Sequence, residues 1–425
     1  MRIDRDQIFQ TNKPHRPLHQ DVLEKTTLVL DRRGIDCEMI IKKIIDFQVA
    51  IPSWALGTGG TRFGRFSRGG EPATLNQKIE DIGLLHTLND SSSAISLHIP
   101  WDIPEDINGT KEQAKSLGIS FDAVNSNTFQ DQPDQKHSYK YGSLSHSDIK
   151  VRTQAIEHNI KVVEYGKLLG SGALTVWLAD GSSFPGQSNF RKVYERTLES
   201  LTEIYSALPE KWRLLLEYKP FEPSFYSMAI PDWGTSLSMV QSLGERALTL
   251  VDLGHHLPNT NIEQIVSILM MKKKLGGFHF NDSKYSDDDL TVGSLRPYQL
   301  FLIFCELIDG IDSTQNPSLD WMIDASHNLK DPMEDLLQSV EAILIAYAQA
   351  LILDREKLEE ARENNDVALA QELIQDAFRT DVRALVAEAR SRRGAAIAPV
   401  DAYRKLKVRN NLIKERGEDS VASGL

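Results

Sequence analysis

Cysteine is nearly absent from this 425-residue chain: Cys37 and Cys305 lie far apart and in no C-x-x-C or zinc-type spacing. That excludes a disulfide framework and a thiolate metal site, and two buried thiols in a reducing, cytoplasmic setting are the expectation. No apolar run approaches the roughly 20 residues that span a bilayer, and residues 1–6 alternate charge around no apolar signal core, so no membrane partner is expected. Positive charge is in deficit. Against 60 Asp and Glu stand 48 Lys and Arg, a formal net charge of −12. A nucleic-acid partner is therefore not expected, because phosphate neutralisation supplies most of such affinity. G-x-S-x-G and H-E-x-x-H are both missing, which removes the serine triad of hydrolases and the zincin site. Gly57-Thr58-Gly59-Gly60-Thr61-Arg62 fits neither G-x-G-x-x-G nor the P-loop and reads as a flexible loop with no nucleotide.

The 41% hydrophobic content suffices for one large core with an appendage. Eight short apolar runs read as buried parallel strands: 47–52, 94–100, 119–125, 173–178, 213–218, 248–253, 276–280 and 320–324. Every gap between them has room for a helix. In one, Thr260 with Glu263 makes a capping box ahead of Ile265, Ile268 and Leu269, and Gly276-Gly277 is expected to stop that helix. In another, Phe190, Tyr194, Leu198, Leu201, Tyr205 and Leu208 recur at helical spacing and predict one apolar stripe. Eight such units close most economically into a (β/α)8, or TIM, barrel, since parallel strands need crossover helices and closure removes both sheet edges. An open doubly wound sheet is the competitor; it would gather its site at one switch point. Helices are expected at 18–46, broken at Gly34, ahead of the barrel, and from 331 to 409 beyond it, before a fraying polar tail at 415–425. The chain thus divides into 1–335, a barrel with N-terminal helices, and 336–425, a C-terminal helical extension whose apolar stripes predict a homo-oligomer.

Ionisable residues stand at the C-terminal ends of these runs, where barrel strands hand over to catalytic loops. Glu217 follows Leu214-Leu215-Leu216, and Lys219, two residues on, shares its strand face. Asp252 ends the next run with His255 three residues further; His279 lies within the following run and Asp324 ends the last. Glu217, Asp252, His279 and Asp324 would reach one mouth from four strands, the convergence a divalent cation requires. His255 with Asp287 and Asp289 offers a second set, in which Asp288 faces away. Oxygen-rich donors with one imidazole per site and no thiolate suit Mn²⁺, Co²⁺ or Mg²⁺, two cations per subunit, better than structural zinc. Trp54, Phe63, Trp101, Phe129 and Trp177 fall at or past strand ends, where aromatic faces would stack on a sugar and exclude water. His98, alternating with Leu97 and Ile99, reads equally as a core histidine or a substrate contact.

Ile51-Pro52-Ser53-Trp54, Ser96-Leu97-His98-Ile99-Pro100-Trp101-Asp102, Val251 to His256, Gly277 to Lys284 and Met322-Ile323-Asp324-Ala325-Ser326-His327-Asn328 resemble segments of the L-rhamnose isomerases. More specifically, they resemble the broad-specificity branch sharing the xylose isomerase type of metal barrel, and the resemblance runs over nearly the whole chain. It implies aldose–ketose interconversion of L-rhamnose and related sugars through the open chain, in a homo-oligomer taken as a tetramer. Glu217, Asp252, His279 and Asp324 would hold a structural metal and His255, Asp287 and Asp289 a catalytic one, Mn²⁺ being the first choice. Lys219, Asp289 and Asp324 would be catalytic, His98, Trp54, Trp101, Phe129 and Trp177 would line the sugar pocket, and Phe63 would reach a neighbouring subunit's site. Hydride passage between C1 and C2 and an enediol route both stay open. The rivals are a ketose 3-epimerase of the same barrel class, disfavoured because Asp324 stands where a second glutamate is expected; a sugar-binding protein on an inactive barrel; and a metal-dependent nuclease, which conflicts with the charge.

Overall fold

All eight apolar runs become strands in the computed structural model, which describes residues 2–59, 66–285, 287–313, 318–327 and 329–423. They are β1 (Ala50–Pro52), β2 (Ala94–Ile99), β3 (Ser120–Ser126), β4 (Ala173–Val176), β5 (Arg213–Glu217), β6 (Ala247–Asp252), β7 (Leu275–Phe280) and β8 (Asp320–Ile323). Each pairs in parallel with the next, and β8 returns to β1 with Met322 opposite Ala50, closing the barrel. Inside, Ala123, Ala173, Leu215, Leu248 and Leu250 form a buried cluster of their own. Because side chains alternate with a period of two, the next inward positions on β3, β4 and β5 are Asn125, Thr175 and Glu217, which line the cavity at the mouth.

N-terminal helices α1 (Arg5–Asn12), α2 (Arg16–Asp31) and α3 (Cys37–Asp46) precede the barrel, with Gly34 at φ 76° in the break. The crossovers are α4 (Leu75–Asn89), α5 (Ile107–Ser116), α6 (Ile149–Leu169), α7 (Phe190–Ala207), α8 (Trp233–Leu243), α9 (Ile262–Met271) and α10 (Pro297–Ser313). After β8, α11 (Pro332–Leu351) packs on α10; residues 335 and 336, where the sequence suggests a boundary, both lie in it. Then follow α12 (Arg355–Glu363), α13 (Val367–Arg379), α14 (Arg383–Arg393), α15 (Pro399–Lys405) and α16 (Val408–Arg416). Here α14 packs on α2, α3 and α11, so the extension folds back over the N-terminal helices.

Four local expectations need correction. The cap of α9 is Asn261, whose side chain accepts from Gln264 N at 2.9 Å, while Thr260 turns its hydroxyl to Leu257 O. Gly276 and Gly277 do not stop that helix; both lie within β7, where a Cβ on Gly276 would sit 2.6 Å from Leu215 Cδ2 and one on Gly277 2.2 Å from Asp320 O. The stripe of α7 is also narrower than the spacing suggests, since Phe190 is 55% exposed whereas Leu201 is buried. Finally, the C-terminal tail is not loose where it is described, whereas residues 60–62 of the loop read as flexible lie outside the described residues. Buried Glu71 accepts from Thr58 N and Oγ1 with one oxygen and from Ala422 N with the other, and its carbonyl takes the Ser420 hydroxyl. A buried carboxylate demands such donors, and the tail supplies them.

Candidate metal centre

Glu217, Asp252, His279 and Asp324 each bring a donor atom into a group whose members all lie within 4.8 Å of one another. His279 Nδ1 stands 3.3 Å from Glu217 Oε1, 3.6 Å from Asp324 Oδ2 and 3.8 Å from Asp252 Oδ2, near enough for ion pairing. Neighbours orient the carboxylates. Asp252 Oδ1 accepts from Gly254 N at 2.7 Å and Asn281 Nδ2 at 3.0 Å, and the Trp54 indole donates to Asp324 Oδ1 at 2.9 Å. Asp252 Oδ2 and His279 Nδ1 remain buried with no hydrogen-bond partner among the described residues. Three carboxylates and one imidazole, with orphaned atoms turned to one point, fit a divalent cation.

The charges agree. Burial drives Asp252, Asp289 and Asp324 upward, Asp324 to about 7, and nearby carboxylates add to the rise. Burial would lift Glu217 too, yet the His279 and His255 imidazoles outweigh it and hold its carboxyl below the usual range. Burial opposes charge on His279, but Glu217, Asp324 and Asp252 raise it to about 9. The mouth therefore holds a surplus of buried negative charge, which protons on imidazoles balance and which a cation would balance instead.

His255, Asp287 and Asp289 border the same cavity but are engaged with neighbours. Nδ1 of His255 meets the Tyr218 carbonyl at 3.0 Å, so it carries hydrogen, and Nε2 stands 3.0 Å from Asp287 Oδ1. Lys219 Nζ donates to Asp287 Oδ2 at 2.6 Å and pairs with Glu222 as well. Asp289 Oδ2 accepts the Ser326 hydroxyl at 3.1 Å. Left-handed backbone at Asp287 (φ 51°) and Asp289 (φ 49°) places both in the cavity wall, while Asp288 accepts from Lys284 N and Tyr285 N instead. Among the described residues, only the first four donors gather within 4.8 Å.

The cavity encloses about 310 Å³. Its aromatic wall is continuous: His98 lies 5.2 Å from Trp54, 4.4 Å from Trp101 and 5.4 Å from Phe129, and Phe129 lies 4.9 Å from Trp177, centroid to centroid. Lys219 Nζ is 5.0 Å from the Trp177 ring centre. Burial lowers His98 to about 3 and keeps it neutral. Phe63 lies outside the described residues. Asn125, Ser126, Thr175, Glu222 and Ser326 also line the cavity and are not among the sequence candidates. Strand alternation could have found Asn125 and Thr175; nothing periodic marks Glu222 or Ser326, which sit on irregular loops.

A closed parallel barrel with an aromatic cavity at its mouth, and beside it a buried carboxylate–imidazole group that suggests a divalent-cation site, has the layout of the barrel enzymes, whose active sites lie at that face. The comparisons narrow this. Over 398 residues, 93% of this chain and 92% of the other, the sequence is 53% identical to a probable sugar isomerase of Rhizobium meliloti. It is also 23% identical over 261 residues, 56% of this chain and 64% of the other, to a xylose isomerase of Thermus thermophilus. The structure of an L-ribulose 3-epimerase superposes with a TM-score of 0.53 at 14% identity, covering 74% of this chain and 98% of that one, a likeness of fold alone. No family model matches. The chain belongs to the family of probable sugar isomerases built on a xylose-isomerase-like barrel.

Proposed function

We propose that this isomerase interconverts L-rhamnose and L-rhamnulose, with related aldoses and ketoses, using two divalent cations, Mn²⁺ foremost. The observation that carries the proposal is the gathering of Glu217, Asp252, His279 and Asp324 at the floor of an aromatic cavity. Those four residues would hold one cation, and His255, through Nε2, with Asp287 and Asp289 the other. Bound there, the cations would grip adjacent oxygens of the open-chain sugar and stabilise negative charge as it develops on them. The remaining work falls to side chains. Lys219, kept protonated by Asp287 and Glu222 although burial opposes it, presents its ammonium to a sugar oxygen and favours the anionic form. Trp54 fixes the direction of Asp324, and the wall from Trp54 to Trp177 covers the sugar's C–H faces and excludes water.

EDTA-treated protein, assayed with and without Mn²⁺ on L-rhamnose, L-mannose, L-lyxose and D-allose, tests the proposal. Metal-dependent ketose formation, fastest from L-rhamnose, is expected. Metal-dependent inversion of ketoses at C3, with no aldose formed, would replace the isomerase by the 3-epimerase.

A further inference from the structure

Outside the cavity, one buried carboxylate ties together the loops that carry the acidic donors. Asp335, in the first turn of α11, accepts from His327 Nδ1 at 2.6 Å with one oxygen and from the Thr291 hydroxyl with the other. Lys330 Nζ stands 3.3 Å from that second oxygen and also donates to Thr291. Thr291 comes two residues after Asp289, and His327 three after Asp324. The two loops touch again where Ser326 N donates to Asp289 O at 3.0 Å. His327 in turn accepts Gly59 N on its carbonyl oxygen at 2.9 Å, which brings in the loop after β1. Neither Asp335, Thr291 nor His327 lines the cavity.

Two features of this arrangement bear on function. The left-handed conformations of Asp287 and Asp289 are strained, and such conformations persist only where the surroundings over-determine them. A cation shared by residues from separate loops also needs those loops held at a fixed separation, because small displacements of ligands weaken coordination steeply.

We propose that Asp335 is a positioning residue which, through Thr291 and His327, sets the spacing between the Asp289 loop and the Asp324 loop and so preorganises the acidic donors for cation binding. The inference rests on the reading of those donors as metal ligands given under Proposed function. It concerns neither contact with sugar nor proton transfer.

Calorimetric titration of metal-free protein with Mn²⁺ tests it, with the thermal midpoint of each metal-free variant recorded alongside. Thr291→Val keeps the volume and removes the hydroxyl; Asp335→Asn removes the charge. Both are expected to weaken Mn²⁺ binding roughly 10-fold, the lower end of the effect of losing a direct partner of a ligand, because Asp335 and Thr291 act on the ligands through their loops. Thr291→Ser is expected to restore binding, and the Thr291→Val, Asp335→Asn double variant to be no weaker than Asp335→Asn alone, since both break one tie. Wild-type affinity in both single variants would overturn the inference, as would losses that follow the thermal midpoint and appear equally in Thr291→Ser. No Mn²⁺ uptake by the wild-type protein would overturn this inference and the proposed function together. Uptake by the wild type without turnover of L-rhamnose or related sugars would overturn the proposed substrate alone and leave the comparison of variants decisive for Asp335.

Discussion

Glu217 is the residue on which the centre turns, because it faces both imidazoles, 3.3 Å from His279 and 3.1 Å from His255. Glu217→Gln removes the charge that keeps those rings in place and one cation donor; Mn²⁺ binding and turnover are each expected to fall at least about 100-fold, beyond the effect of losing an outer partner. Asp289→Asn, by contrast, should abolish turnover while the four-donor group still takes up metal, and calorimetry should count one Mn²⁺ fewer. Retained wild-type rates in either variant would remove the residue from the mechanism. Acidity adds a third expectation. His279 is raised to about 9, so at neutral pH a cation must displace its proton. Affinity for Mn²⁺ should therefore rise with pH from 6 to about 9, with protons released on binding; an affinity flat between pH 6 and 8 would contradict this. These donors were legible in the sequence because each ends or interrupts an apolar run whose parity fixes its direction. Glu222 and Ser326 were not, since no alternation governs an irregular loop.

The strands were written in the chain to within three residues, because buried parallel strands leave short apolar runs. The helix α1 (Arg5–Asn12) and the end of α16 at Arg416 were not, since short helices at the ends of the chain leave weaker spacing. Some local patterns carry two structural meanings. Gly276-Gly277 has the look of a helix stop, yet β7 needs both glycines for close approach to β5, β6 and β8. Gly277→Ala should show this, since its Cβ would meet the Asp320 carbonyl, backbone that cannot move aside. Destabilisation of about 1–3 kcal/mol or more is expected in urea unfolding. An unchanged midpoint would mean that β7 and β8 can part, four residues before Asp324. Similarly, Thr260 and Asn261 both qualify as caps, and only the path of the preceding loop selects Asn261.

At the scale of the whole molecule, buried carboxylates bolt the extension to the barrel. Asp331 holds Arg409 Nε at 2.8 Å and the Tyr403 hydroxyl at 3.0 Å, and Asp81 holds Arg416 Nη2 at 2.7 Å. Burial would raise Asp331, but Arg409 prevails and its carboxyl lies below the ordinary value. A depressed carboxylate contributes stability that is fully present above its unfolded pKa, about 3.9, and is lost as pH falls through the folded value. The tie through Asp331 should accordingly hold down to about pH 4 and weaken below it, whereas burial raises Asp81, so its tie to Arg416 should weaken already at higher pH. Urea unfolding of Asp331→Asn and Asp81→Asn variants from about pH 3 to 7 checks this. Such ties join residues more than 70 positions apart, so periodicity could announce helices beyond the barrel without showing where they dock. We propose that the strand-end carboxylates and imidazole hold a divalent cation in the path of the sugar. Anomalous X-ray scattering from Mn²⁺-soaked crystals tests it most directly. A manganese peak bounded by Glu217, Asp252, His279 and Asp324 is predicted, and the absence of any peak there from a protein that isomerises sugars in Mn²⁺ would contradict it.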